Sequence, residues 1–444
     1  MRRQLQFVAL FIQTFWERHY KYILVSAILG FFSTLFIIQS YPIISSITFN
    51  RNYKIGLVGR FSETTLPLFI QNEISIGLTS LTPSGIATAS IAQSWDVDSK
   101  GVNYLFHLKQ NLVWHDGKRF EAKDVNYNLK DVIFTPLNET TLKVTLKEPY
   151  APLLVLLSQP LLRDKLVGLN SLKISRLIYK GDYISEITLL PNKSSSFSKT
   201  YKFYPNQNEA ILAFKLGEVN SLKEISDYKE LENWKNIKID SINYYDRYIG
   251  LFFDLKNNLF KEKEIRQAFA YTMPKIESLE KAFTPISPLS WAYSPKIRLY
   301  NYDPDTASKI LSKSQISSPS SQITLTTFVT NLDIAQKIVD EWNKLGLNVR
   351  IKVENSIPSD FQILLWTQAI PVDPDQYQYW QSTQEETNIT HYSNQKIDKL
   401  LEDGRKIYDL ESRKKIYADF QRYIVDDVPV IFLYYPKVYN INRN

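Results

Sequence analysis

The sequence predicts a mixed α/β protein built as two lobes and preceded by one membrane-spanning helix. Three observations carry this expectation. At 444 residues the chain is too long for one compact core. Alternating strand patterns dominate its first part and amphipathic helical patterns its later part, without a regular strand–helix–strand succession, which favours mixed sheets in two lobes over a barrel. An uncharged apolar run, YILVSAILGFFSTLFIIQSYPII, occupies residues 22–44.

That run comes first in the chain. As a helix it spans roughly 35 Å, enough for a hydrocarbon core of about 30 Å. Arg2, Arg3, Arg18 and Lys21 precede it, and Arg51, Lys54 and Arg60 follow, a bias that weakly favours a cytoplasmic segment at 1–21. A cleaved signal peptide is the alternative. Its apolar region is normally about 7–15 residues long, shorter than this run. An uncleaved signal-anchor at 22–44 is therefore expected, with the bulk of the chain outside the cytoplasm. Cysteine is absent, which excludes disulfides, thiolate metal sites, a Cys nucleophile and an acylated-cysteine anchor.

The next segment reads as strands. Residues 104–108 and 111–114 alternate, and the turn at His115-Asp116-Gly117-Lys118 uses a glycine that tolerates positive φ. Residues 141–146, TLKVTL, alternate again. The run 152–162 is interrupted by polar residues and reads as a buried helix or strand. Loops are expected at 191–199 and, from its Ser and Pro, at 312–321. A helix over 331–345 places Ile334, Ile338, Trp342 and Leu345 on one face, Gly346 ends it, and 348–353 follows as a strand. Two further amphipathic helices fit 396–408 and 412–425, and a last strand 428–435.

Composition narrows the function. The charge of +7 is small for this length and no run of five basic residues occurs, so nucleic-acid binding is not indicated. Aromatics make up 14% of the chain, with 28 Tyr, which suits a contact surface as well as a bulky core. No G-x-S-x-G, H-E-x-x-H or G-x-x-x-x-G-K-[ST] motif is present, so neither a common hydrolase nor an ATPase is indicated. The four His (His19, His107, His115, His391) form no close pair, and no metal or cofactor is expected.

Residues 104–129, YLFHLKQNLVWHDGKRFEAKDVNYNL, carry an aromatic strand, a W-H-D-G turn and an A-x-D-V step. Ile91-Ala92-Gln93-Ser94-Trp95, Pro149-Tyr150-Ala151-Pro152, the segment EAILAFKLGEV at 209–219, IRQAFA at 265–270, Tyr302-Asp303-Pro304 with Ala307, and Asp373-Pro374 follow in order. In this order the chain resembles the extracellular solute-binding proteins of peptide and nickel ABC importers, from about residue 53 to about residue 435. The resemblance implies a periplasmic-binding-protein-like fold of two α/β lobes with mixed sheets, closing on a hinge. It places lobe I at 50–245 with 427–444 returning to it, lobe II at 246–426, and hinge crossings near 248–251 and 428–430. It also implies a single-pass, membrane-anchored, non-enzymatic monomer that captures a peptide-like solute for an ABC permease and its separate ATPase. A non-transport receptor or chaperone-like module is the alternative, and an anchored hydrolase a more distant one.

Several residues are expected in particular roles. His115 and Asp116 are read as turn residues, Asp124 as a residue of a first helical turn, and Arg266 as a surface ion-pair partner. Trp291, Tyr293, Trp366, Gln368 and Asp373 are the candidate ligand-cleft residues, since aromatics accept varied side chains. Peptide-binding members of the family hold the ligand's α-amine with an Asp four residues before the Pro of the D/E-P step. Here that position is Ile370, and Asp373 is the nearby carboxylate. Of the family's glycine-rich step only Val167-Gly168-Leu169-Asn170 is present.

Overall fold

The computed structural model describes the backbone of residues 2–48, 51–192, 197–314 and 322–444; the side chains of 2–13, 23, 37, 40–48, 51 and 165 fall outside the described set. Arg2–Thr48 is helical throughout. Among the described residues no single helix is long and apolar enough to cross a membrane. Thr14–Tyr22 and Leu24–Phe36, bent by 46° at their junction, pass that test together by length and composition. Phe31, Phe32 and Phe36 are exposed on this helix. The predicted run at 22–44 overlaps this pair, and its last side chains lie outside the described residues.

The rest of the chain forms two lobes around two large mixed sheets. The first sheet has seven strands, in the order Ile237–Asn243, Lys437–Arg443, Ser221–Ile225, Arg51–Val58, Phe197–Tyr204, Tyr183–Pro191 and Leu172–Lys180. A four-stranded antiparallel sheet (Ala92–Val97, Asn103–Leu108, Thr141–Leu146, Val132–Asn138) and the small hairpin Thr79–Leu81/Ala87–Ala89 belong to the same half of the chain. The second large sheet has six strands, in the order Glu280–Lys281, Val430–Tyr435, Arg247–Phe253, Ile363–Ala369, Gln322–Thr327 and Asn348–Val353.

The middle strands of the second sheet are nearly continuous apolar runs, and the period of two explains why. Ile249, Leu251 and Phe253 enter one core, while Tyr248 and Phe252 enter the other. Their partner strand divides in the same way, Ile363 and Leu365 on one side and Leu364 on the other. Each such side chain contributes roughly 1.5–3 kcal/mol of burial, so covering both faces fixes this sheet as the frame of the second lobe.

The chain passes between the large sheets twice. Tyr244, Tyr245 and Asp246 link Ile237–Asn243 to Arg247–Phe253. Within the returning segment 427–444, Val430–Tyr435 pairs with Arg247–Phe253 in the second sheet, and Lys437–Arg443 pairs with Ile237–Asn243 in the first. The change of sheet therefore falls at Pro436.

Several local expectations match. Thr141–Leu146 and Asn348–Val353 are strands with the predicted bounds. Leu332–Lys344 is helical, burying Ile334, Ile338 and Trp342, and Gly346 follows with φ +80°. Others need correction. Residues 111–114 form no strand, only the bridge Val113–Arg119. The helix expected after Ala122 is a single 3-10 turn, Ala122–Asp124. Asn126 Oδ1 accepts from the Asn128 N–H, and Asn128 and Asp131 adopt positive φ, so this Asx geometry competes with further helix. The loop expected over 312–321 lies outside the described residues from 315 onward. That expected at 191–199 does so at 193–196, with strand on either side.

Arg266 is the largest correction. It is buried rather than paired at the surface, and its guanidinium donates to the carbonyls of Phe260, Lys261, Asp427 and Val428 at 2.6–3.1 Å. Two of these are at the C-terminal end of the helix Leu410–Asp427, where carbonyls lack helical partners and the dipole favours a cation.

Candidate functional site

Among the described residues the two lobes meet at three groups of contacts, the second of them at a chain crossing. At the first, the tip of the small hairpin reaches the second lobe. The Trp291 N–H donates to the Ser84 carbonyl at 3.1 Å, and Gly85, at φ +86°, lies against Val372, where a Cβ would sit 3.1 Å from the Val372 carbonyl oxygen. At the second, Asn243 Nδ2 and the Tyr245 hydroxyl both donate to Glu280 Oε2, at 2.6 and 2.7 Å. At the third, the Tyr408 hydroxyl donates to the Gly101 carbonyl at 2.7 Å and accepts from the Tyr150 N–H at 3.1 Å. The Ala151 N–H donates to the Arg405 carbonyl beside it, at 2.7 Å. Gly101 is required there: its φ is +68°, and a Cβ would lie 2.2 Å from the Tyr408 ring.

A cavity of about 280 Å³ lies between the first two contacts. Ser84 and Gly85 line it from the hairpin, Asn243 and Asp246 from the chain crossing, and Ser287, Ser290 and Ile370 from the second lobe. Its size is at the lower edge of ordinary ligand pockets, about 300 Å³.

Beside it is a cluster of four ionic groups, Asp373 and Arg413 buried and Asp375 and Arg405 partly so. Asp373 is bound through both oxygens to Arg413, at 2.6 and 3.1 Å. Asp375 lies 3.1 Å from Arg405, whose guanidinium stacks on Tyr377 and Tyr150 at 4.1 and 5.1 Å. Burial raises the Asp375 carboxyl above the usual range and outweighs the opposing pull of Arg405. Burial lowers the Arg413 guanidinium, but Asp373 outweighs it and the net shift is upward.

The five predicted cleft residues are distributed through this region. Trp291 and Asp373 come together through Arg413, which lies 5.2 Å from the Trp291 ring centroid. Trp291 also meets Tyr417 edge-on at 6.3 Å. Tyr293 is half-buried, and burial raises its hydroxyl pKa. Trp366 packs on Phe328 with ring centroids 4.7 Å apart, and Gln368 donates weakly to the Ala369 carbonyl at 3.4 Å. None of these five side chains lines the 280 Å³ cavity; their neighbours Ser290, Ile370 and Val372 do. Sequence reasoning missed Ser84, Asn243, Asp246 and Tyr408. The Pro83-Ser84-Gly85 turn and the charged, aromatic stretch Tyr244-Tyr245-Asp246-Arg247 were the available signals.

His115 and Asp116 hold local structure. His115 Nε2 bonds the Asn170 carbonyl at 2.8 Å, its backbone N–H donates to Gly168, and Asp116 pairs with Arg163 at 3.4 Å. Asp124 accepts from the Glu121 N–H and the Trp114 indole. Among the described residues no group of three His, Cys, Asp or Glu could hold a metal ion.

The family model for bacterial extracellular solute-binding proteins, family 5, matches residues 87–136 and 198–388. The oligopeptide-binding protein AppA of Bacillus subtilis is 29% identical over 275 residues, which cover 54% of this chain and 50% of that protein. The ABC transporter substrate-binding protein CtaP of Listeria monocytogenes superposes with a TM-score of 0.76 at 20% identity, over 89% of this chain and 94% of that one. NikZ from Campylobacter jejuni, in complex with Ni(L-His), superposes with a TM-score of 0.72 at 23% identity, over 88% and 94%. These superpositions establish the two-lobed, mixed α/β fold.

Proposed function

Because the chain belongs to the bacterial extracellular solute-binding proteins, family 5, we propose that it captures a peptide-like solute between its lobes and delivers it to the permease of an ABC importer. A separate ATPase supplies the energy. The observation that carries this reading is the 280 Å³ cavity, walled by both lobes, in a molecule whose lobes are joined by two chain crossings. Such a pocket closes when the lobes approach and opens when they part, the hinge motion of binding proteins. The similarity to AppA supports a peptide over a metal complex.

In this reading lobe I comprises about 50–245 and the end of the chain, lobe II the strands between, and the hinge lies at residues 244–246 and Pro436. The N-terminal helix is an uncleaved single-pass anchor that holds a monomer at the outer face of the membrane. Its bent apolar pair at Thr14–Tyr22 and Leu24–Phe36 supports this. Trp291 and the Arg413–Asp373 pair lie behind the second lobe's wall and support Ser290 and Val372, which face the cavity.

Native mass spectrometry of the full chain, released from detergent micelles after gentle purification from its own host, tests the proposal. A mass increment that fragments into short peptides is expected. A protein that acquires no increment and shows no compaction with any member of a broad peptide library would refute it.

A further inference from the structure

The sheet of the second lobe has an edge that is only partly covered. The Phe253 N–H donates to the Pro429 carbonyl at 3.0 Å, so Pro429 and, two residues on, Ile431 turn their hydrogen-bonding groups toward Arg247–Phe253. Val430 and Phe432 turn theirs the other way. On that side Glu280–Lys281 pairs with Tyr435 and Tyr434, and the Ala282 N–H donates to the Leu433 carbonyl at 3.0 Å. The pairing stops there. Among the described residues nothing bonds the N–H or the carbonyl of Val430 or Phe432 on this edge.

A cavity of about 440 Å³ lies along these unpaired groups, and Val430 and Phe432 line it. It is within the size of ordinary ligand pockets, about 300–1,000 Å³. Met273, Ile276 and Leu279 flank it on one face of the sheet and Ile297 on the other. All of its lining residues belong to the second lobe, and it shares none with the inter-lobe cavity. An apolar slot with a main-chain donor and acceptor on every second residue is the complement of an extended peptide. A purely hydrocarbon ligand would cover those groups without bonding them.

Charge sets the direction of such a peptide. Of the cations that line the cavity, Lys275 pairs with Glu277 at 2.9 Å and Arg298 with Asp426 at 3.1 Å. Lys281 is exposed at the mouth and has no ion-pair partner among the described residues. Partial desolvation lowers its ammonium pKa, and no carboxylate opposes that shift. It stands at the Leu433 end of the edge, where the Ala282 bond closes the slot. A strand added parallel to Val430–Tyr435 brings its carboxy terminus to that end, and an antiparallel one brings its ammonium. Parallel pairing is already used in this sheet by Gln322–Thr327. In that arrangement a single ligand residue donates to the Val430 carbonyl and accepts from the Phe432 N–H.

We propose that this edge is a second peptide site: a short apolar peptide adds to Val430 and Phe432 as a parallel strand, with its terminal carboxylate at Lys281. The site lies within one lobe and does not depend on capture between the lobes.

The test uses the full chain in lipid nanodiscs. The probes are N-acetyl-valyl-isoleucyl-valine and its carboxy-terminal amide, read by hydrogen–deuterium exchange and by titration. Exchange over residues 429–434 should slow when the acid is bound. The acid should bind roughly three- to tenfold more tightly than the amide. Lys281→Gln should erase that difference and Lys281→Arg restore it, while the exchange map of each variant without peptide reports its fold. Methylation of the central peptide nitrogen should remove the protection. Equal binding of acid and amide to the wild-type protein overturns the inference. Protection at residues 83–85 and 243–246 in place of 429–434 also overturns it, and leaves peptide capture between the lobes standing. Failure of both probes and of longer apolar peptides to slow exchange at 429–434 overturns it as well.

Discussion

Tyr408 is the place to test whether the lobes hold each other closed. Its hydroxyl donates to Gly101 and accepts from the Tyr150 N–H, tying the second lobe to the first. Tyr408→Phe removes two hydrogen bonds and keeps the ring that packs against Gly101. At about 0.5–1.5 kcal/mol net for each bond, closure loses roughly 1–3 kcal/mol. In the open form water satisfies the same groups, so the loss falls on the closed form alone. The open-to-closed ratio should rise by roughly 5- to 150-fold. The chain has no cysteine, so a pair introduced at Glu139 and Lys352 labels cleanly for distance measurement by double electron–electron resonance. The variant should show a longer inter-lobe distance without ligand and a ligand affinity weakened in proportion to the closed fraction lost. Gly101→Ala should act in the same direction, through its positive φ and the clash with the ring. An unchanged distance distribution in both variants would refute the idea that this contact holds the lobes together.

Three further outcomes are expected. Arg413→Met leaves Asp373 buried without its partner and should lower unfolding stability by about 3–5 kcal/mol in urea titration; a loss below about 1 kcal/mol would show that the pair is not enclosed. Arg266→Lys keeps the charge but has fewer, differently directed donors for four carbonyls. It should therefore destabilise nearly as much as Arg266→Gln, and rescue by lysine would contradict the capping role. Asp426 is raised by burial but lowered more strongly by Lys263 and Arg298, so its folded pKa lies below its unfolded one. Its contribution is therefore complete above the unfolded carboxylate pKa, about 4, and is lost as pH falls through the lower folded value. Asp426→Asn should flatten the acid limb of the stability–pH curve, and an unchanged limb would exclude the linkage.

How far the sequence reaches depends on what sets each feature. Where a period does, the reading is close: Thr141–Leu146 and Asn348–Val353 carry strand alternation with the predicted bounds, and Leu332–Lys344 follows from its apolar face. Where side-chain chemistry competes with the backbone, the reading fails. Asn126 and Asn128 divert the chain after Ala122 from helix into turns. Arg266 looks like a surface residue by type, and only the distant helix end at Asp427 and Val428 explains its burial. The cleft was legible as a neighbourhood and not as a lining. Trp291 and Asp373 lie beside the cavity, but loop side-chain direction follows no period, so their neighbours Ser290, Ile370 and Val372 face it instead.

The last strands of the chain bear on how the protein is made. Val430–Tyr435 lies between two strands of the second sheet, and Lys437–Arg443 between two strands of the first. Both sheets therefore lack an interior strand until residues 430–443 have been made. These long-range pairings are slow to form. A chain that cannot complete either lobe early stays unfolded in the meantime, and it acquires both lobes almost together once these two strands emerge. Removal of residues 437–444 should then do more than trim an edge: it would split the first sheet between Ile237–Asn243 and Ser221–Ile225, leaving a product exposed to proteases.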